Sequence, residues 1–445
     1  MKKIALLVSV LLISLIVCAC SKVNEFYLTI AAPFSDEQTK AFGLQKADNN
    51  YNLENVQVFN KEDGKRVIYV YSAPVEMSSD IIEEGNEYIT KGSYFSKIFP
   101  SELSKNTPIE MHGTDNFAKI YLNNKKIEGE FSEKQNVFGS KKQSVIYNDA
   151  FGKGIDYICY PTSFGVNTEI ILSKRSEKNK FQIKIQLSQL VPDTNSPDYI
   201  LFKSALEKGV VKSILYTPIA VDKNGKWCYA NGVKIVDKDS ENNIYTVEYE
   251  IDKKFLEDKN TKFPITLNQS IHLYKSKQPD TSAYENTGDV ATHYLSPYII
   301  LGDKTLKGEG WTYVRYETLY NLHINPEKIV SAKYVFHNLF DLNKETKISA
   351  YAVTADWCSI NTRWFNRPPF DDKPISEVIL KEAGDYKLDI TSLFVEMMKN
   401  KSESDAKYSV QNSFMVRSDT KDSEVIISSG DNGIYSPVLE IVLSE

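Results

Sequence analysis

The 445 residues carry 53 Lys and Arg against 59 Asp and Glu, a net charge of −6. That balance argues against nucleic acid as a partner, because phosphate binding needs a basic face. Apolar residues make up 42% and aromatics 12%, with 27 Tyr, enough to build cores for two or three domains.

Lys2 and Lys3 precede an apolar run from Ile4 to Val17, followed by Cys18-Ala19-Cys20 and the polar Ser21-Lys22. A basic start, a short apolar stretch and a small residue before the cleavage point describe a secretory signal, too short to span ~30 Å of hydrocarbon. With Val17 at −3, Ala19 at −1 and Cys20 at +1, residues 1–19 resemble a bacterial lipoprotein signal peptide. Cys20 is the expected lipidation site, and palmitate-type acyl chains would hold the mature protein to the membrane on its extracytoplasmic face. Cys18 is a poorer candidate, since Val17 fits the −1 position badly. Cys159, Cys228 and Cys358 remain, an odd number and no disulfide framework. A Cys159–Cys228 bridge and buried free thiols both stay open.

Residues 20–105 read as an N-terminal segment with short strands around Val67-Ile68-Tyr69-Val70-Tyr71. Residues 106–274 read as a β-rich domain. In it Phe181 to Leu187 and Tyr245 to Ile251 alternate apolar and polar residues, the pattern of strands with one buried face. Asn123-Asn124, Lys223-Asn224-Gly225, Asn231-Gly232 and, later, Asp431-Asn432-Gly433 are turn signals. Asp222-x-Asn224-Gly225 has the start of a calcium loop without its downstream Glu, and is read as a hairpin turn. Gly152-x-Gly154 precedes a strand, so it presents no helix N-terminus to a phosphate.

Residues 275–286, polar and containing Pro279, read as a linker, and 287–445 as a second β-rich domain. Asp371-Asp372 is read as a solvated turn, because neighbouring strand residues point to opposite faces and cannot together flank a glycosidic bond. One helix is predicted from the spacing of Ile390, Leu393, Phe394, Met397 and Met398, with Asp389 as its cap. The expected fold is mainly β: tandem antiparallel, jelly-roll-like β-sandwiches after a cleaved signal peptide. The five histidines stand singly, without Cys or acidic neighbours at ligand spacing. No catalytic residue, metal or cofactor is therefore expected; a structural calcium is left open and not predicted.

Tyr298 to Gly302, Thr312 to Tyr316, Ile329 to Tyr334, Trp357, Thr362 to Pro368, Leu388 to Thr391 and Ser436 to Ile441 resemble, in order and spacing, the DNRLRE family. This is a β-sandwich module of secreted bacterial and archaeal proteins, one branch of which is classed as carbohydrate-binding. Arg363 departs from its pattern, standing where Thr usually runs straight into Trp. Residues 60–270 look like the segment that precedes this module in long surface proteins with RHS-type repeats, through Lys65 to Val75, Tyr147 to Tyr157, Asn167 to Leu172 and Phe263 to Leu267. The resemblance implies a cell-surface protein and carries over no toxin activity.

Trp357, Trp364 and Phe365 are candidate sugar-stacking rings, with Arg363 and Arg367 as donors to hydroxyls or an acidic sugar's carboxylate. The competing reading makes one or more of the tryptophans core. Three functions follow. The first is a lipid-anchored structural or binding protein that takes cell-surface or environmental polysaccharide through its C-terminal sandwich. The second is an interaction or carrier protein of a secretion or toxin system, and the third a polysaccharide-degrading enzyme.

Overall fold

The two alternating runs pair with each other. In the computed structural model Lys180–Leu187 and Ile244–Glu250 are antiparallel neighbours, with Phe181 opposite Tyr249, Ile183 opposite Val247 and Ile185 opposite Tyr245. All six side chains are buried, so alternation here marks a sheet with one face in a core. The structure describes residues 36–444 apart from 73–80, 92–95, 136–140, 195–198, 207–210, 273–279, 286–297, 358–361, 404–412, 431–434 and a few shorter stretches. Cys20 and the leader, the turns at Asn123 and Asp431, and Cys358 lie outside the described residues. Of the described residues 56% are strand and 7% helix, and every described strand pair is antiparallel, as expected of tandem sandwiches.

Two eight-stranded sheets built from residues 82–272 form the first unit. They share a core that includes Phe99, Ile120, Tyr157, Phe181, Ile185 and Tyr249. The Lys223-Asn224-Gly225 turn joins Ile219–Asp222 to Trp227–Tyr229 in a hairpin. One Asp222 carboxylate oxygen accepts the Asn224 and Lys226 amides at 2.8 and 2.9 Å, an Asx-type turn. Among the described residues no group of three or more His, Cys, Asp or Glu is placed to hold a metal. No described helix is long and apolar enough to cross a membrane.

The second unit is a thirteen-stranded sheet. Its path runs from Leu44–Lys46 through Arg66–Val70, Val438–Leu443, Ile329–Asn338, Val425–Ser428, Tyr298–Thr305, Gly308–Arg315, Ser413–Ser418 and Thr346–Ala352 to Ser376–Leu380. Both halves contribute to one core, through Ile68, Ile299, Tyr334 and Leu439 from one and Val314, Ile348 and Phe414 from the other. Gly302 and Gly310 sit opposite each other where the halves join. At Gly302 φ is +127° and an added Cβ would run into the Ser423 carbonyl, so only glycine fits that approach. The helix Thr391–Glu403 packs Leu393, Phe394, Met397 and Met398 into the same core. Asp389 caps it, accepting the Thr391 amide at 2.9 Å.

Two sequence boundaries shift. The 20–105 segment is shared between the units: Arg66–Val70 pairs with the closing strand Val438–Leu443, while Ile82–Glu84 and the following strands join the first unit. The linker read at 275–286 contains a strand, Asp280–Tyr284, paired with Gly308–Arg315. Its Ala283 and Tyr284 are buried, and two apolar side chains with sheet partners outweigh a polar composition. The units meet through Ile219, Val221, Tyr298, Ile300, Leu339 and Ile426. Beside this contact the Tyr298 hydroxyl donates to Asn268 Oδ1 at 2.6 Å.

Candidate functional site

Along Gly308–Arg315, Val314 enters the sandwich core while Trp311 and Tyr313 belong to a separate cluster on the other face. Ser413–Ser418 does the same, with Phe414 and Val416 inside and Met415 outside; so does Thr346–Ala352, with Ile348 and Ala350 inside and Tyr351 outside. Described parts of the following connection, residues 353–357 and 362–370, pack over this outer aromatic face. Val353 bridges Phe370, Thr354 donates to the Pro369 carbonyl at 2.9 Å, and the Tyr313 hydroxyl donates to the Pro368 carbonyl at 3.3 Å.

Trp357 is core. It is 8% exposed, its ring lies 5.8 Å from that of Tyr313, and its Nε1 donates to Ser413 Oγ at 2.9 Å. The Arg315 guanidinium sits 4.9 Å from its ring centroid and pairs with Asp356 at 2.6 Å. A satisfied indole N–H on a sheet face is what a buried tryptophan needs, so Trp357 offers no stacking platform.

Trp364 is half-buried. It packs 4.9 Å from Trp311, and the Arg367 guanidinium lies 4.1 and 4.6 Å from the Trp364 and Trp311 centroids. Arg367 also donates to the Trp364 carbonyl at 2.5 Å, so its charge braces the loop. Arg363 lies in a turn closed by its amide donating to Asn366 Oδ1 at 2.7 Å. Phe365, at the tip of this turn, is 70% exposed. The structure thus brings Arg363, Trp364, Phe365 and Arg367 together and leaves Phe365 as the open ring. Asp371 and Asp372 are exposed on the turn that follows.

Sequence reasoning missed the floor beneath the loop. Arg417 lies 4.6 Å from the Tyr351 ring and 5.5 Å from Trp311, and Asp419 accepts its Nε–H at 2.8 Å. Burial by itself would raise the Asp419 pKa, but hydrogen bonds from Ser349 and Tyr351 and the charge of Arg417 outweigh it and hold the carboxylate below its usual range. The signal was legible in part: Trp311, Tyr313 and Arg315 alternate with Thr312 and Val314. Of the remaining cysteines, Cys159 and Cys228 are free thiols. Burial pushes Cys159 well up and Cys228 up to about 12, so neither is a thiolate at neutral pH.

No family model and no curated protein matches the chain. Among solved structures, a xanthan lyase from Paenibacillus is similar at 8% identity and a TM-score of 0.12, over 93% of this chain and 40% of that one. The chain therefore spans less than half of the lyase's length. An exo-β-1,3-galactanase from Phanerochaete chrysosporium, solved with β-1,3-galactotriose, gives 8% identity and a TM-score of 0.13 over 84% and 99% of the two chains. SGBP-B of a Bacteroides ovatus mixed-linkage glucan utilization locus, in complex with a mixed-linkage heptasaccharide, gives 9% and 0.13 over 89% and 92%. TM-scores at this level establish neither a shared fold nor a shared function.

Proposed function

We propose that the chain is a lipid-anchored cell-surface protein of binding type, and that its C-terminal sandwich takes carbohydrate on the loop around Phe365. The observation that carries this is Phe365, a 70% exposed aromatic ring on a turn braced from below by Arg367, Trp364 and Trp311. A solvent-facing ring on a loop that is already ordered loses little entropy on binding, and the C–H face of a pyranose packs on such a ring. Arg363, at the rim, supplies N–H donors to hydroxyls or to a sugar carboxylate. The reading is of binding rather than catalysis. Screening residues 21–445 against immobilised neutral and acidic polysaccharides tests it. Retention that falls on Phe365→Ala supports the assignment, and retention that does not fall moves binding away from this loop.

The anchor rests on Val17, Ala19 and Cys20, and on the ~0.8 kcal/mol that each buried CH₂ of an acyl chain contributes. Cys20→Ala is expected to abolish fatty-acid labelling and membrane retention. Labelling that survives this change and vanishes in Cys18→Ala would move the site.

A further inference from the structure

The hairpin of Ile219–Asp222 and Trp227–Tyr229 reaches from the first unit over the second, and beside its turn the two surfaces enclose a cavity of ≈ 780 Å³. That lies within the ~300–1,000 Å³ usual for ligand pockets. Its first-unit wall is fixed: Asp222, 5% exposed, accepts the Asn224 and Lys226 amides on one oxygen and the Lys262 amide, at 2.9 Å, on the other. Trp227 is among the residues of this wall; its half-buried ring packs on the cluster where the units meet and lies edge-on against Tyr229 at 5.4 Å.

The charged groups around the cavity are mostly engaged. Lys226 pairs with Asp258 at 2.6 Å and Lys304 with Asp422 at 2.9 Å. Lys344 donates to the Lys421 carbonyl at 2.5 Å, and Asp341 accepts the Ala383 amide at 2.8 Å. Glu424 differs. Among the described residues nothing hydrogen-bonds or ion-pairs its carboxyl, although burial is enough to raise its pKa. A partly desolvated acceptor facing a cavity gains from a ligand that donates hydrogen bonds. Three lysines and the three acids Asp341, Asp422 and Glu424 line the space and cancel in charge, which disfavours a strongly anionic or cationic occupant.

We propose that this cleft between the units binds a neutral polyhydroxylated ligand, an oligosaccharide segment, with Trp227 as the stacking ring and Glu424 as the acceptor of hydroxyl protons. It rests on the carbohydrate reading for the ligand's class, but on residues separate from the Phe365 loop.

Native gels cast with mixed-linkage β-glucan, arabinoxylan or galactomannan, and with polygalacturonate as the acidic comparison, test it on residues 21–445. At least one neutral gel should retard the protein. Glu424→Gln, close to isosteric, should weaken that retention roughly tenfold or more, as expected for a hydrogen bond to a charged group, at an unchanged melting temperature. Trp227→Ala should weaken it too, and the Gln variant decides if this one fails to fold. A drop for Glu424→Gln supports the cleft whatever Phe365→Ala does. If Phe365→Ala loses retention and Glu424→Gln keeps it, the cleft is no sugar site and the loop reading stands. Retention by polygalacturonate alone overturns the neutral-ligand assignment, and retention by none of the gels overturns both readings.

Discussion

At the scale of single residues, two aromatic side chains eight positions apart have opposite roles. Trp357 is buried with its N–H satisfied, whereas Phe365 projects into solvent. Trp357→Ala should lower the unfolding free energy by ~3–5 kcal/mol, the range for removing a large buried aromatic. Phe365→Ala should stay within ~0.5 kcal/mol, as surface changes do. Denaturant unfolding of the two variants checks both, and a Trp357→Ala variant as stable as the parent would return that residue to the surface. The sequence showed which aromatics cluster, and the Trp-rich stretch was found as a candidate site. It did not show which rings are covered, because Trp357 is buried by Tyr313, Arg315 and Ser413, which are distant in sequence. The floor of Trp311, Tyr351 and Arg417 was hidden for the same reason: the face is legible from alternation, but the return of a loop onto it is not.

At the scale of elements, period and spacing read well. The paired runs at 181–187 and 245–251, the hairpin at Asn224-Gly225 and the capped helix after Asp389 all follow from local patterns whose cause is local. Strand partnership is different, since it is set by contacts between distant segments. Arg66–Val70 pairs with Val438–Leu443, and Ile68 and Val70 enter the core of the second unit. Nothing within 56–70 names that partner. A fragment of residues 275–445, cut at the sequence boundary, therefore lacks strands that its core requires and exposes the edge of its closing strand. It should melt well below residues 21–445 or aggregate. A fragment that melts as high as the longer chain would contradict the shared sheet.

At the scale of the whole molecule, pH tests the first unit's core together with the contact between the units. Lys97 in the first unit is 1% exposed, and burial lowers its pKa to about 8. Between pH 8 and 10 the folded state has released this proton while the unfolded chain still holds it. Stability should therefore rise over that window, by about 3 kcal/mol if the full shift is expressed. Burial holds the phenols of Tyr147, Tyr157, Tyr249 and Tyr298 protonated above their usual range. Their unfolded counterparts ionise near pH 10, so stability falls steeply above it. Melting curves from pH 7 to 11 should show a rise and then a fall, with the rise absent in Lys97→Met. A flat profile to pH 10 in the parent would place Lys97 in contact with water.

The binding reading also belongs to the assembled molecule, because the loop that carries Phe365 lies over three strands of the second unit, Gly308–Arg315, Thr346–Ala352 and Ser413–Ser418. Its most direct test is the affinity of residues 21–445 and of Phe365→Ala for the polysaccharide that retains the protein best, measured beside their melting temperatures. A loss of ~1–3 kcal/mol in binding, the range for a well-placed aromatic contact, at unchanged melting is the predicted result. Equal affinity of the two proteins, or no retention of the parent by any polysaccharide, would contradict it.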